Sequence, residues 1–236
     1  MSSTITRVLV FDTETNGLLP KRDPATKLPI INEYPYILQL SFIVYNVKTH
    51  AIEQTFNNYI KVNNDVVIND KITEITGITK DTCDKKGIPI VNALYEFYHA
   101  YMSCDRVIAH NLNFDKNMIE LEILRNYECL RTIPDSPFLF NDMFNSVNNV
   151  DTYCTMQKTR KFCNITINGK YGPYTKAPRM CELHDKLFNF VPENLHDAMV
   201  DTMTCLKCYL KFEHDITMEP VVDDYLKSGI KYDTSI

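Results

Sequence analysis

Four carboxylates and a histidine stand in the order Asp12-x-Glu14, Asp115, His196 and Asp201, each at the edge of an apolar run suited to a strand or a helix. Val8-Leu9-Val10-Phe11 is a short continuous apolar run, the mark of a strand buried on both faces, and FDTETNGL continues it. Side chains alternate along a strand, so Asp12 and Glu14 are expected to point to one side with only Thr13 between them. Two carboxylates that close stay ionised together only with a cation between them; otherwise a pKa must rise. A divalent metal is the simpler resolution, and the full set of acids reads as a two-metal nuclease. A lone D-x-E would be read as a solvated strand end, but this one has company.

The elements that must position these residues follow the same runs. Val107-Ile108-Ala109 predicts another short strand, and HNLNFD, residues 110–115, leads from it into a helix over 116–127 with apolar positions Ile119, Leu121, Ile123 and Leu124. Asp115 falls in its first turn, where a carboxylate also stabilises a helix N-terminus. HDAMVD, residues 196–201, opens a further helix, with Asp201 on the stripe Ala198, Asp201, Cys205 and Cys208. A carboxylate on a helix's inner face is expensive unless it is paired or coordinates a metal. His196 precedes Asp201 by five residues, about 140° round an ideal helix, so it is expected to project from the preceding loop or first turn and reach the same site from another side. Residues 37–47 and 53–60 read as strands joined by a polar turn at 48–50, and 91–102 as an amphipathic helix. Residues 20–35, with four prolines, read as a loop bordering the cleft. The coarse order β, β, β, α, β, α, then helices, predicts an α/β fold: a mixed β-sheet with helices on both faces.

FDTETNGL, HNLNFD and HDAMVD, in this order, resemble the three motifs of the DEDDh exonucleases, the RNase H-like group that includes bacterial proofreading subunits, RNase T and oligoribonucleases. The similarity spans residues 6–212. Position by position, Asp12, Glu14, Asp115 and Asp201 resemble that family's metal-binding acids and His196 its general base. ITEITGIT, residues 72–79, is similar to the family's stretch between the first two motifs, with Thr76 where a histidine usually precedes the glycine. The resemblance implies an RNase H-like sheet, Asp12 bridging two ions, Glu14 and Asp201 serving one, and Asp115 reaching the other mainly through water. Thr13, Thr15, Asn111 and Phe114, inside the motifs, are assigned to substrate binding. Hard cations such as Mg2+ or Mn2+ want oxygen ligands. Two of them, about 3.5–4 Å apart, activate an attacking water and stabilise a leaving 3′-oxygen. Histidine, with an ordinary pKa of about 6.5, accepts that water's proton near neutral pH.

A chain of 236 residues that is 44% hydrophobic can bury one large core, and no repeat or low-complexity tract calls for a second domain. The nuclease-like domain is placed at 1–212. Residues 213–236, with Asp223, Asp224 and Asp233, read as an acidic tail that docks as a helix over 221–226 or stays mobile. No apolar run approaches the ~20 residues that span a bilayer, and the first residues lack a signal-peptide core. An intracellular, cytoplasmic protein without membrane contact is expected, a nuclear one being compatible. Eight cysteines then read as free thiols, and the Asn164-Ile165-Thr166 sequon as unused. Cys181-x-x-His184 and Cys205-x-x-Cys208 have zinc-ligand spacings. Both pairs sit in helical patterns among leucines, where cysteine is commonly a small buried hydrophobe, and core packing is the expectation.

A net charge of −5 argues against a protein that coats nucleic acid. Residues 158–179 nevertheless carry six basic side chains and no acid, with Phe162, Tyr171 and Tyr174 interleaved. Asn168-Gly169 predicts a two-residue hairpin turn, giving a ribbon whose Lys158, Arg160, Lys161 and Lys170 would bind single-stranded nucleic acid; the alternative is a solvated hairpin whose aromatics pack on the domain. The combined expectation is a metal-dependent 3′–5′ exonuclease releasing nucleoside 5′-monophosphates from single-stranded or frayed 3′ ends, polarity and product being implied by the resemblance. Nothing in the motifs reads the 2′-hydroxyl, so RNA trimming stands beside DNA hydrolysis. A polymerase or replication partner is compatible with this reading. The contrasting one is a catalytically silent nucleic-acid-binding or polymerase-associated module on the same fold, which a metal-dependent nuclease assay separates.

Overall fold

The apolar run before Asp12 becomes the middle strand of a five-stranded sheet in the computed structural model, which describes residues 5–21, 30–193 and 195–218. In chain order the elements are β1 (Arg7–Thr15), β2 (Ile37–Asn46), β3 (Ala51–Tyr59), α1 (Asp70–Thr76), α2 (Lys80–Lys86), α3 (Ile90–Met102), β4 (Arg106–Ala109), α4 (Leu112–Arg125), α5 (Asp142–Asn148), β5 (Asp151–Cys154), α6 (Thr155–Lys158), α7 (Arg160–Cys163), β6 (Thr166–Gly169), β7 (Gly172–Thr175), α8 (Met180–Phe188) and α9 (Ala198–His214). The sheet order is β3-β2-β1-β4-β5. β1 runs antiparallel to β2 and parallel to β4, so its C-terminal end emerges between the turns that launch α4 and α9.

Alternation along β1 sorts its side chains onto two helical layers. Leu9 and Phe11 pack with Ala93, Phe97 and Tyr101 of α3 and with Met118 and Ile119 of α4. Phe11 meets Phe97 edge-on at a ring-centroid distance of 5.0 Å, an arrangement aromatic pairs favour. Val8 and Val10 face the other way, onto Met199, Cys205, Leu206 and Tyr209 of α9. The mixed sheet with helices on both faces expected from the sequence is therefore the fold observed. Among the described residues no helix is long and apolar enough to cross a membrane.

The polar loop before β2 is held by a buried ion pair at the end of α4. Arg125 donates to Glu122 at 2.8 Å and to the carbonyls of Pro35, Ile31 and Tyr34 at 2.9, 2.8 and 2.8 Å, and its guanidinium covers the Tyr36 ring at 3.9 Å. Glu122 also accepts the Ile37 N–H at 3.2 Å. Charges this deep are tolerable only when paired and hydrogen-bonded, and here that requirement ties the strand entrance to α4.

Several elements depart from the expected order. α4 begins at Leu112 rather than 116, because Asn111 takes a left-handed backbone (φ 67°) and its carbonyl already accepts the Phe114 N–H at 2.8 Å. α1, α2, α5 and β5 were not expected. The hairpin turns at Lys170-Tyr171 and not at Asn168-Gly169, which pair with Pro173 and Gly172. Gly169 is needed for a close approach instead: a Cβ there would lie 2.8 Å from the Tyr174 ring. The positive φ of the turn falls on Gly172, at 113°. Residues 22–29 of the proline-rich loop, and the tail with Asp223, Asp224, Asp233 and its helix over 221–226, lie outside the described residues.

Candidate active site

β1 delivers Asp12 and Glu14 to its α9 side by the same alternation that places Val8 and Val10 there. α9 answers with Asp201 in its first turn. His196 comes from the residues just before that helix, with φ 78°, and its backbone N–H donates to Asp201 Oδ2 at 2.8 Å. A ligand atom from each of Glu14, His196 and Asp201 lies within 4.8 Å of the others. Among the described residues this is the cluster of three or more histidine, cysteine and acidic side chains close enough to share an ion.

Asp115 arrives from the opposite layer. It is buried in the first turn of α4 and accepts two hydrogen bonds from Thr13, from the hydroxyl at 2.8 Å and from the N–H at 3.2 Å. Thr13 points away from Glu14 along the strand, and that is why it can hold an acid brought round from the α4 side. Its hydroxyl is committed to Asp115, and the Thr15 hydroxyl donates to Gly17 O at 2.7 Å. Phe114 is half-buried against the core, while Asn111 is exposed at the mouth of a cleft with Lys116 and Gln157. The structure thus brings the four acids and His196 to one end of the sheet. It uses Thr13 to position Asp115 and Phe114 to pack.

Electrostatics at this end are severe. Burial first, then the neighbouring Asp115, Asp201 and Glu14, hold the Asp12 carboxyl well above its ordinary range. Burial, followed by Asp201, Asp115 and Asp197, pushes Glu14 up to about 9. Asp115 and Asp201 rise to about 7, again chiefly through burial, although Thr13 opposes the rise at Asp115 and the His196 N–H opposes it at Asp201. Four desolvated acids that cannot ionise together form an oxygen-rich set suited to hard divalent cations.

Three positioning groups were not anticipated. Asp197 caps α9 through bonds from Met199 and Val200 at 3.0 and 3.3 Å and adds a fifth acid that helps raise Glu14. Its place before an apolar helical run was the available signal. Gln39, across the sheet register from Glu14, accepts the Ala198 N–H at 3.4 Å and donates to Asn57 at 2.9 Å, fixing α9 over the strands. His110 follows β4 directly, with Nε2 3.1 Å from the Pro178 carbonyl and Nδ1 2.9 Å from the Thr155 hydroxyl. Burial lowers its pKa to about 4, so the ring is neutral. The carbonyl can only accept, so Nε2 carries the proton and Nδ1 receives the Thr155 hydroxyl.

The cysteine and histidine pairs with zinc-like spacing go to separate surroundings. Cys205 faces the sheet, Cys208 packs with Cys163 and Leu183, and buried His184 approaches Phe190 O at 2.9 Å and Lys207 Nζ at 3.4 Å. All eight cysteines are free thiols. Beyond the end of β1 a cavity of about 240 Å3 opens between Asn16, Gly17, Leu18, Tyr34, Tyr36 and Val67.

Residues 9–209 match the model of the RNase T family, described as exonuclease. Among solved structures, exonuclease I is similar, with 18% identity and a TM-score of 0.63 over 93% of this chain and 43% of that one. E. coli exonuclease I in complex with a dT13 oligonucleotide gives 17% and 0.60 over 93% and 43%. The zinc-bound complex of the same enzyme with single-stranded DNA gives 18% and 0.62 over 93% and 42%. The chain therefore spans less than half the length of these proteins. No curated protein sequence matches it.

Proposed function

Because the chain belongs to the RNase T exonuclease family, we propose that it is a metal-dependent nuclease that removes nucleoside 5′-monophosphates one at a time from single-stranded or frayed 3′ ends of DNA or RNA. The observation that carries this reading is the meeting of Glu14, His196 and Asp201 within 4.8 Å, beside Asp12 and Asp115, at the end of an apolar strand. Asp12, Glu14, Asp115 and Asp201 would hold two divalent cations, Mg2+ or Mn2+. Such ions supply charge stabilisation on the phosphate and make water acidic enough to attack near neutral pH.

The chain's own groups do the rest. His196, exposed at the rim of the acid cluster, takes the proton from the attacking water on an imidazole nitrogen. The water oxygen bonds to phosphorus, the P–O3′ bond breaks, the departing 3′-oxygen takes a proton from solvent, and exposed His196 returns its own proton to solvent. Asp201 holds the backbone of His196 in place, and Thr13 holds Asp115. The cavity lined by Asn16, Tyr34 and Tyr36 lies next to this machinery and would receive the terminal nucleoside.

Digestion of 5′-labelled and 3′-labelled DNA and RNA of matched sequence, with Mg2+, Mn2+ or chelator, tests the proposal. The 5′-labelled strands should shorten stepwise, and the 3′-labelled strands should release label as mononucleotide at once, both only with metal. Internal cleavage products, or activity that survives chelation, would refute the mechanism. The same measurement reads the sugar preference.

A further inference from the structure

The excursion between β5 and α8 is tied to the catalytic end of the sheet at both of its feet. Thr155, at the first foot, and Pro178, at the second, meet the two ring nitrogens of one residue, His110, which stands five positions before Asp115. Thr159 and Pro178 are buried at these feet, and between them Cys163 packs on Leu183 and Cys208 while most of the remaining side chains are exposed. β6 and β7 pair as a two-stranded ribbon that joins no other strand among the described residues. Each strand has four residues, so the ribbon reaches about 13 Å.

Its six basic residues divide into two groups. Arg160 is spent inside the excursion, where its Nε donates to Thr175 O at 2.7 Å and its Nη2 to the same carbonyl. Lys176 and Arg179 both pair with Glu182. Lys158, Lys161 and Lys170 are exposed and make no ion pair among the described residues. Beside them stand exposed aromatic rings: Tyr171 is 94% exposed at the turn, with Lys170 5.6 Å from its ring, and Tyr174, packed against Gly169 on one side, is still 49% exposed. Cations interleaved with open aromatic rings match an unpaired nucleic-acid strand, whose phosphates and base faces both need partners. No acid lies between residues 158 and 179 in a chain of net charge −5, so this stretch favours a polyanion more than the chain's average does.

We propose that residues 155–179 form an arm that grips the single-stranded nucleic acid on the 5′ side of the bond being cut, with Lys158, Lys161 and Lys170 on phosphates and Tyr171 and Tyr174 stacked on bases. The proposal rests on the nuclease reading of the acid cluster, and it replaces Arg160 as a phosphate contact with a role in closing the arm on itself.

The test is binding of a labelled dT16 oligonucleotide by the full chain with metal chelated, so that cleavage plays no part, across about 50 to 300 mM salt. The triple variant Lys158→Gln, Lys161→Gln, Lys170→Gln should lose about 2 units of the slope of log affinity against log salt, at ~0.7 per phosphate contact on single strands. The corresponding triple arginine variant should keep it. Tyr171→Ala should weaken binding at least about fivefold at unchanged slope, since a stack is worth ~1–3 kcal/mol and is not ionic. A triple glutamine variant with wild-type slope and affinity overturns the arm. So does wild-type protein that binds dT16 without salt dependence, which would return the ribbon to a solvated hairpin or a protein contact. Absence of cleavage in Mn2+ alongside a lost slope would sink the nuclease reading and leave the arm standing.

Discussion

Asp12 is the residue on which the other acids converge, and its removal separates catalysis from stability. Asp12→Asn should abolish cleavage. In the wild type the folded pKa values of Asp12, Glu14, Asp115 and Asp201 all lie above the ordinary carboxylate range. The folded state therefore binds more protons than the unfolded one, and the metal-free protein loses stability as pH rises from about 4, through about 7 for Asp115 and Asp201, towards about 9 for Glu14. Melting curves in chelator at pH 5 and 8 should show the wild type falling relative to Asp12→Asn; an equal offset at both pH values would mean that the acids do not repel as described. Thr13→Val should cost about 10- to 100-fold in metal affinity or activity, the usual effect of losing a group that orients a ligand, and Thr13→Ser should restore most of it. His196→Ala should lower turnover by about 10² to 10⁴ with metal affinity kept. An equal fall in metal affinity would make His196 a ligand and not the base.

At the scale of elements two ion pairs differ in what their loss should cost. Glu122→Ala leaves the Arg125 guanidinium buried beside carbonyls without its counter-charge, and should cost about 3–5 kcal/mol of stability. Asp81→Ala, which breaks the exposed i,i+4 pair with Lys85, should cost no more than about 0.5 kcal/mol. Similar losses from the two in denaturant titrations would show that the clamp is solvated. β1, which carries Asp12 and Glu14, and its neighbours β2 and β4 were legible because they are apolar runs that must be covered on both faces. β5 was not, since Tyr153 is its one buried side chain in four residues. α1 and α2 have seven residues each and owe their ends to the caps Asn69 and Thr79 and not to an apolar stripe. The spacing D-x-E placed Asp12 and Glu14 on one side. The bond from Thr13 to Asp115, 102 positions apart, and the grasp of His110 on Pro178, 68 positions apart, arise only when the layers close.

For the molecule as a whole, one sheet end collects buried acids and a left-handed histidine, which cost stability, beside a helix start that the Asp197 cap stabilises. Across the rest, the layers over and under β1 supply the apolar burial that holds this end together. That imbalance makes the protein's heat stability a counter of ions. A ligand that binds only the folded state raises the free energy of unfolding by about 1.4 kcal/mol for every tenfold rise in its concentration, once above its dissociation constant, and two independent ions raise it by about twice that. Unfolding followed against Mn2+ or Mg2+ concentration at pH 8 should therefore climb at the double rate in the wild type and at a lower one in Asp12→Asn. The number of metals in the site can in this way be read without a single turnover.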